Sequence, residues 1–337
     1  MKSILNIILL PVFLLYRLII ILRNYLYDKK FLKTHKLPCK VICVGNISSG
    51  GTGKTPTVIE LAKILQAKGK SVAILSRGYR RQSIGTVLVS DGKTTLDNWQ
   101  DCGDEPLLMS RKLNNIPIVV DENRVRGGQF LVQKFNPEII ILDDGFQHRK
   151  IFRDIDIVLL DSSCSKINFS FFSFNYSRET WRALKRAHIV LLTKSNINQP
   201  NDQLINKINS LKVPFYKTTL EVEKYILNAK GEQSDSKLFK GKSAVIFSGI
   251  GEPDSFSKIV ESLEIVIISS IKFRDHRQYS KTDLEKIHAK FISSGADIIL
   301  TTEKDLLKIN EPEWPLYSIP ISIRIDENAI EYIYNLL

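Results

Sequence analysis

The sequence contains no paired-cysteine motif. Its four cysteines, Cys39, Cys43, Cys102 and Cys164, form no CxxC and have no histidine at zinc-ligand spacing. That excludes a zinc ribbon and a disulfide scaffold, and leaves reduced thiols of a cytosolic compartment. The 337 residues hold no internal repeat and no low-complexity tract, so they are read as an ordinary globular chain of roughly two domains. Acidic side chains are in deficit. Against 48 Lys and Arg stand 36 Asp and Glu, a net charge of +12. This balance calls for an anionic partner, whether nucleic acid, an acidic membrane surface or a phosphorylated substrate. No nucleic-acid recognition module is present to favour the first.

Ile4 to Leu22 is a nearly continuous apolar run, interrupted by Asn6, Pro11 and Arg17. No small-x-small cleavage site follows, which argues against a removed signal peptide. A helix that spans the bilayer and one that lies in its interface both fit the length, and Arg17 suits the second because its side chain can snorkel. Arg23, Lys29, Lys30, Lys33, Lys36 and Lys40 follow. By the positive-inside rule they place the rest of the chain on the cytoplasmic side, against anionic headgroups.

Val41 to Gly69 carries the first chemistry. An apolar run, Val41 to Val44, reads as a buried strand. Thr55 to Lys68 reads as a helix with Val58, Leu61, Ala62 and Leu65 on one face. Between them lie Ser48, Ser49, Gly50, Gly51, Thr52, Gly53, Lys54 and Thr55. Strand, glycine loop, Gly-Lys-Thr and helix form a P-loop, although Ser48 stands where the strict pattern has glycine. Backbone N–H groups would cradle phosphate, Lys54 would reach the terminal phosphates and the Thr55 hydroxyl would ligate Mg²⁺. An ordinary tight turn requires neither the flanking elements nor this loop.

Alternating strands and helices continue. Ser71 to Leu75 is a strand that ends in Arg77, Tyr79, Arg80 and Arg81, at the edge where open α/β sheets bind ligands, although a solvated basic loop is the better reading of this segment alone. Asp104 and Glu105 precede a helix over Leu107 to Leu113, where capping alone is an adequate reading. Ile116 to Val120 is followed by a helix opening with Arg124 and Arg126. Glu138 to Leu142 ends in Asp143-Asp144, the Walker B arrangement that holds Mg²⁺ beside a P-loop. Further strands are expected at Asp156 to Leu160 and His188 to Leu192. A polar stretch, 229–242, reads as a linker. Beyond it, 243–337 reads as a smaller α/β unit with a last strand pair around Ile298 to Thr301 and Leu316 to Ile325, and His276 sits in a charged, aromatic cluster after a strand. The expected division is an apolar helix over 1–28, a P-loop domain over 29–228, the linker, and the smaller domain.

The ordered set GNISSGGTGKTP, LSRGYRR, GDEPLLM, DENRVRG, DDGFQHR, RDIDIVLLD and FRDHRQY closely resembles the tetraacyldisaccharide 4'-kinases, membrane-associated enzymes of lipid A synthesis. No motif matches beyond about Ser293. The resemblance implies transfer of the ATP γ-phosphate to the 4'-hydroxyl of a lipid A disaccharide 1-phosphate, at the cytoplasmic side of an inner membrane. It also implies two domains with the active site between them. Asp104 would be the general base, paired with His276 of the other domain. Thr55, Glu105 and one or both of Asp143 and Asp144 would hold Mg²⁺. Arg77, Tyr79, Arg124, Gln147, His148 and Arg178 are weaker candidates for substrate or phosphate contact. No obligate protein partner is evident. Two other readings are a membrane-associated hydrolytic switch and a nucleic-acid-dependent ATPase.

Overall fold

A computed structural model describes residues 15, 18–48, 51–163, 178–309 and 313–337. Most of the apolar segment 4–22, together with Ser49, Gly50 and Cys164, lies outside them. Among the described residues, no helix is long and apolar enough to cross a membrane, and Cys39, Cys43 and Cys102 are free.

The chain first builds a mostly parallel sheet. Its strands begin with β1 (Lys40–Asn46), which leads into α1 (Lys54–Ala67). β2 (Val72–Ser76) and the edge strand β3 (Val87–Ser90) follow, then the short α2 (Trp99–Cys102) and α3 (Asp104–Lys112). Next come β4 (Ile118–Val120), α4 (Arg124–Phe135), β5 (Ile139–Asp143), β6 (Ile155–Asp161) and β7 (Ile189–Thr193). α5 (Asp202–Ser210) leads to β8 (Phe215–Val222). β1 lies between β5 and β6, paired in parallel with both. The central strands are apolar throughout because both faces are covered. One face packs α1 through Val58, Leu61, Ala62 and Leu65, and the other packs Leu131 of α4 with Phe146 and Leu184. Each such aliphatic side chain, fully buried, contributes roughly 1.5–3 kcal/mol.

The second sheet collects β9 (Tyr225–Asn228), β10 (Gln233–Asp235) and β11 (Ser243–Ser248). After α6 (Pro253–Ser262) come β12 (Val266–Lys272), α7 (Lys281–Ser294), β13 (Ile298–Thr302), the short α8 (Glu303–Leu306) and β14 (Leu316–Ile319). Its strand order is β10-β9-β14-β13-β11-β12. β15 (Ile321–Ile325) and α9 (Glu327–Asn335) then return to the first sheet, where β15 pairs antiparallel with β8.

Two expectations are therefore corrected. The stretch 229–242 is not simply a linker, because β10 pairs with β9 as an edge hairpin; its polar sequence reflects mostly exposed side chains. The segment 243–337 is not one unit either. Leu316 to Ile325 breaks at Pro320, which lacks the N–H needed to continue a ladder, and the two halves join different sheets. The chain thus passes between sheets at 222–225 and again at 319–321, and the Glu223 N–H donates to the Pro320 carbonyl at 3.0 Å.

Candidate active site

The phosphate loop is braced from below. Asn46, the buried last residue of β1, donates through Nδ2 to Thr52 Oγ1 at 2.9 Å, and Gln147 Nε2 donates to the Asn46 carbonyl at 2.7 Å. Gly53 has φ 79°, a left-handed conformation that glycine adopts without a Cβ penalty. It turns the chain into α1, where Lys54 and Thr55 begin the helix with its positive end toward the cleft. Lys54 Nζ lies 3.8 Å from Asp144 Oδ1.

Asp104 owes its place to a close backbone approach. Gly78 and Gly103, both at positive φ, pack so that a Cβ on Gly78 would sit 2.7 Å from the Cys102 carbonyl oxygen. Gly103 then starts α3 with Asp104 and Glu105 in its first turn. Asp104 is buried, yet His276 of the second sheet's loops reaches it. Nδ1 of His276 is 3.2 and 3.1 Å from the two Asp104 oxygens. Lys308 Nζ is 3.5 Å from Oδ2, and Lys304 Nζ 3.9 Å. Burial pushes the Asp104 carboxyl up, but His276, Lys304 and Lys308 outweigh it and hold it well below the usual carboxylate range.

His276 is positioned from several sides. It has φ 57°, rare for a residue with a Cβ. Its N–H donates to the Gly249 carbonyl at 3.0 Å. Arg80 Nη1 donates to the carbonyls of Asp275 and His276, and the Tyr79 ring meets the imidazole edge-on at 5.1 Å. The loop after β2 thus clasps the loop that carries the histidine.

The two adjacent aspartates differ sharply. Asp144 accepts from Arg178 Nη1 through both oxygens, at 2.8 and 2.7 Å. Burial raises its pKa, but Lys54 and Arg178 outweigh that and lower it. Asp143 is 1% exposed. Its Oδ2 accepts from Ser76 Oγ at 2.8 Å, while Oδ1 has no hydrogen-bond partner among the described residues. Burial, then the Glu105 and Asp144 charges, push Asp143 up to about 7. An unmatched buried carboxylate oxygen beside a P-loop is what a divalent cation would satisfy. Among the described residues, no three acidic, His or Cys side chains are grouped to hold a metal by themselves. Mg²⁺ needs no such cluster, since it takes one or two carboxylates plus phosphate oxygens and water.

A cleft of about 670 Å³ brings together Gly51–Thr55, Tyr79, Glu105, Asp144, Arg178, His276 and Lys304. Apolar Ile59, Leu220, Phe256, Ile259 and Ile319 line it as well. Among the described residues, seven predicted from sequence do not line it: Ser48, Asp104 and Asp143, which lie buried, and Gln147, Arg77, Arg124 and His148. Gln147 supports Asn46, as above. Arg77 is exposed on the loop after β2. Arg124 is 3% exposed and donates from Nη1 to the Asp121 carbonyl at 3.1 Å; burial lowers its pKa to about 10. Burial and the neighbouring Arg124 charge lower His148 to about 4.

Sequence reading missed Lys304 and Lys308, and also Lys194, which pairs with Asp161 at 2.7 Å and with Glu252 across the cleft. The signal was present. Lys194 and the run Glu303-Lys304-Asp305 each follow directly on an apolar strand, at the edge where α/β sheets bind ligands.

A family model described as Tetraacyldisaccharide-1-P 4'-kinase matches residues 5–337. The tetraacyldisaccharide 4'-kinase of Aquifex aeolicus (strain VF5) is 39% identical over 301 residues, 89% of each chain. That of Syntrophus aciditrophicus (strain SB) is 37% identical over 313 residues, 89% of this chain and 84% of its own. The crystal structure of LpxK from Aquifex aeolicus in complex with ATP has a TM-score of 0.79 at 36% identity, covering 98% of this chain and 99% of its own. Motif order, fold and near-complete coverage agree, and the chain belongs to the tetraacyldisaccharide-1-P 4'-kinase family.

Proposed function

We propose that this chain transfers the γ-phosphate of ATP to the 4'-hydroxyl of a tetraacyldisaccharide 1-phosphate, in the cleft where the P-loop faces the Asp104–His276 pair. The observation that carries the reading is that pair: Asp104, from the first turn of α3, meets His276, from a loop of the second sheet that lines the same cleft as Lys54 and Thr55. Asp104 takes the hydroxyl proton. Both ring nitrogens of His276 are engaged, Nδ1 by Asp104 and Nε2 by Lys304 at 3.2 Å, so the carboxylate is the acceptor and the imidazole orients it. A carboxylate of low basicity suffices because a loose phosphoryl-transfer transition state depends on positioning and charge stabilisation more than on base strength. Lys54 and the loop N–H groups stabilise charge on the transferring group.

Bound Mg²⁺ would neutralise charge on the phosphate oxygens. Thr55 and Asp143 would hold it, with Glu105 beside them, while Asp144 orients Lys54 and Arg178. Arg77, Arg124 and His148, which do not line the cleft, are assigned to a substrate phosphate outside its lining. In support, Arg124 Nε and His148 Nε2 lack a hydrogen-bond partner among the described residues. The helical residues 18–28 carry Leu18, Ile19, Ile21 and Leu22, each more than half exposed; they are assigned to inner-membrane lipid, which brings the cleft to a substrate that stays in the bilayer.

The test uses detergent-solubilised protein, γ-labelled ATP, Mg²⁺ and a tetraacyldisaccharide 1-phosphate. Label in the lipid, abolished by Lys54→Ala, is the expected result. Label found only as free phosphate, indifferent to lipid, overturns the reading in favour of a hydrolytic switch.

A further inference from the structure

Lys304 belongs to α8, at the end of the second sheet's β13, yet its ammonium serves the first sheet's site. Nζ lies 3.0 Å from Glu105 Oε1 and 3.2 Å from His276 Nε2, with Asp104 and Asp275 oxygens at 3.9 and 4.0 Å. Three carboxylates, of Glu105, Asp104 and Asp275, thus surround its ammonium within 4.0 Å. An ammonium has donors only. Its approach to Nε2 therefore needs a lone pair there, which leaves the ring proton on Nδ1, facing Asp104. A ring protonated on both nitrogens would set two cations against each other.

The mounting of α8 supports this role. Thr302 Oγ1 donates to Asp305 Oδ2 at 2.8 Å, and the same carboxyl oxygen accepts from the Gly249 N–H at 2.9 Å. Gly249 is the residue whose carbonyl takes the His276 N–H. One buried aspartate thus fixes both the lysine and the loop that presents the histidine.

We propose that Lys304 is a positioning residue for phosphoryl transfer: it joins Glu105 to His276 across the cleft and holds the imidazole as the Nδ1–H tautomer that hydrogen-bonds Asp104. The role in turnover rests on the kinase reading above; the effect on the imidazole does not. Loss of such positioning lowers turnover more than substrate affinity.

The experiment uses the full chain in detergent, with Lys304→Met and Lys304→Arg. Turnover and the KM for ATP are measured, and ring-¹⁵N histidine spectra are recorded without nucleotide, the His276 signals being assigned by their loss in His276→Asn. Lys304→Met is expected to lower kcat by at least roughly tenfold with the ATP KM within about threefold. Its His276 signals are expected to leave the Nδ1–H pattern, and Lys304→Arg, which keeps charge and donors, to restore most of both. Unchanged His276 signals in Lys304→Met, or kcat within about twofold of the parent, overturn the proposal. Should Lys304→Met not fold, Lys304→Arg decides: the parent ring pattern with substantial turnover supports it, and a folded, inactive variant with the parent pattern overturns it. A parent protein that moves no phosphate to lipid refutes the kinase reading alone, because the ring-nitrogen comparison is made without any reaction.

Discussion

Asp143→Asn should make the nucleotide-free protein more stable and the enzyme nearly inactive. The side chain is 1% exposed, and Oδ1 has no hydrogen-bond partner among the described residues. Burial with Glu105 and Asp144 nearby raises its pKa from 3.8 to about 7. A carboxyl whose pKa is raised on folding stabilises fully below the unfolded value and loses that contribution as pH rises through the folded one. At about 1.4 kcal/mol per pKa unit the full difference would be roughly 4 kcal/mol. Relaxation and water penetration reduce it, and roughly 1–3 kcal/mol is the working expectation at pH 8. Asparagine keeps the shape and the Ser76 contact without the charge. In a chain of this length that corresponds to a rise in Tm of a few degrees. The assay is thermal unfolding with EDTA and no nucleotide, from pH 8 down to pH 4.5. The variant's advantage should be largest near pH 8 and shrink steadily as the parent Asp143 takes up its proton. Transfer to lipid, assayed with Mg²⁺, should fall by at least roughly 100-fold. A variant less stable than the parent at pH 8 would refute the reasoning: the Ser76 bond and Lys54 would then outweigh the burial of charge, and Asp143 would need no cation.

Three other outcomes are expected. Asp104→Asn should lower the transfer rate by about 10²–10⁴-fold, the range for a lost general base, in protein shown to be folded by circular dichroism; activity within about tenfold of the parent would remove that role. His148, lowered from 6.5 to about 4 by burial and then Arg124, should make the protein less stable as pH falls from 6.5 to 4, because the unfolded chain takes up its proton first; allowing for partial exposure the loss is roughly 2 kcal/mol, visible in urea midpoints and absent in His148→Gln. Deletion of residues 1–22 should release the protein from anionic vesicles in a flotation assay, and continued binding at low salt would place the anchor elsewhere.

The first sheet was legible because its elements are regular and locally marked. The strand at Val41, the helix after Gly53, Ile139–Asp143 and Ile189–Thr193 all fall within a residue or two of where periodicity puts them. The second half was read less well for a topological reason. Periodicity identifies a strand but not its neighbours, so nothing local showed that Ile321–Ile325 pairs with β8 or that the polar run through Gln233 forms an edge hairpin. The site divided along the same line. Asp104, His276 and Lys54 were singled out through motifs, whereas Lys304 and Lys308 lie past the last one and reach Asp104 through packing across more than 190 residues of chain. Gln147 was a weaker candidate for substrate or phosphate contact because a motif carries it, and its amide donates to the Asn46 carbonyl beneath the phosphate loop.

The central claim is that a carboxylate on one sheet's helix and an imidazole from the other sheet's loop act as a unit. The most direct test is a double-mutant cycle on lipid phosphorylation with Asp104→Ala, His276→Ala and both together. Residues that act as one are non-additive. The account predicts a double variant no slower than about threefold below the slower single. Losses that multiply, each substitution costing as much in the presence of the other as alone, would contradict it.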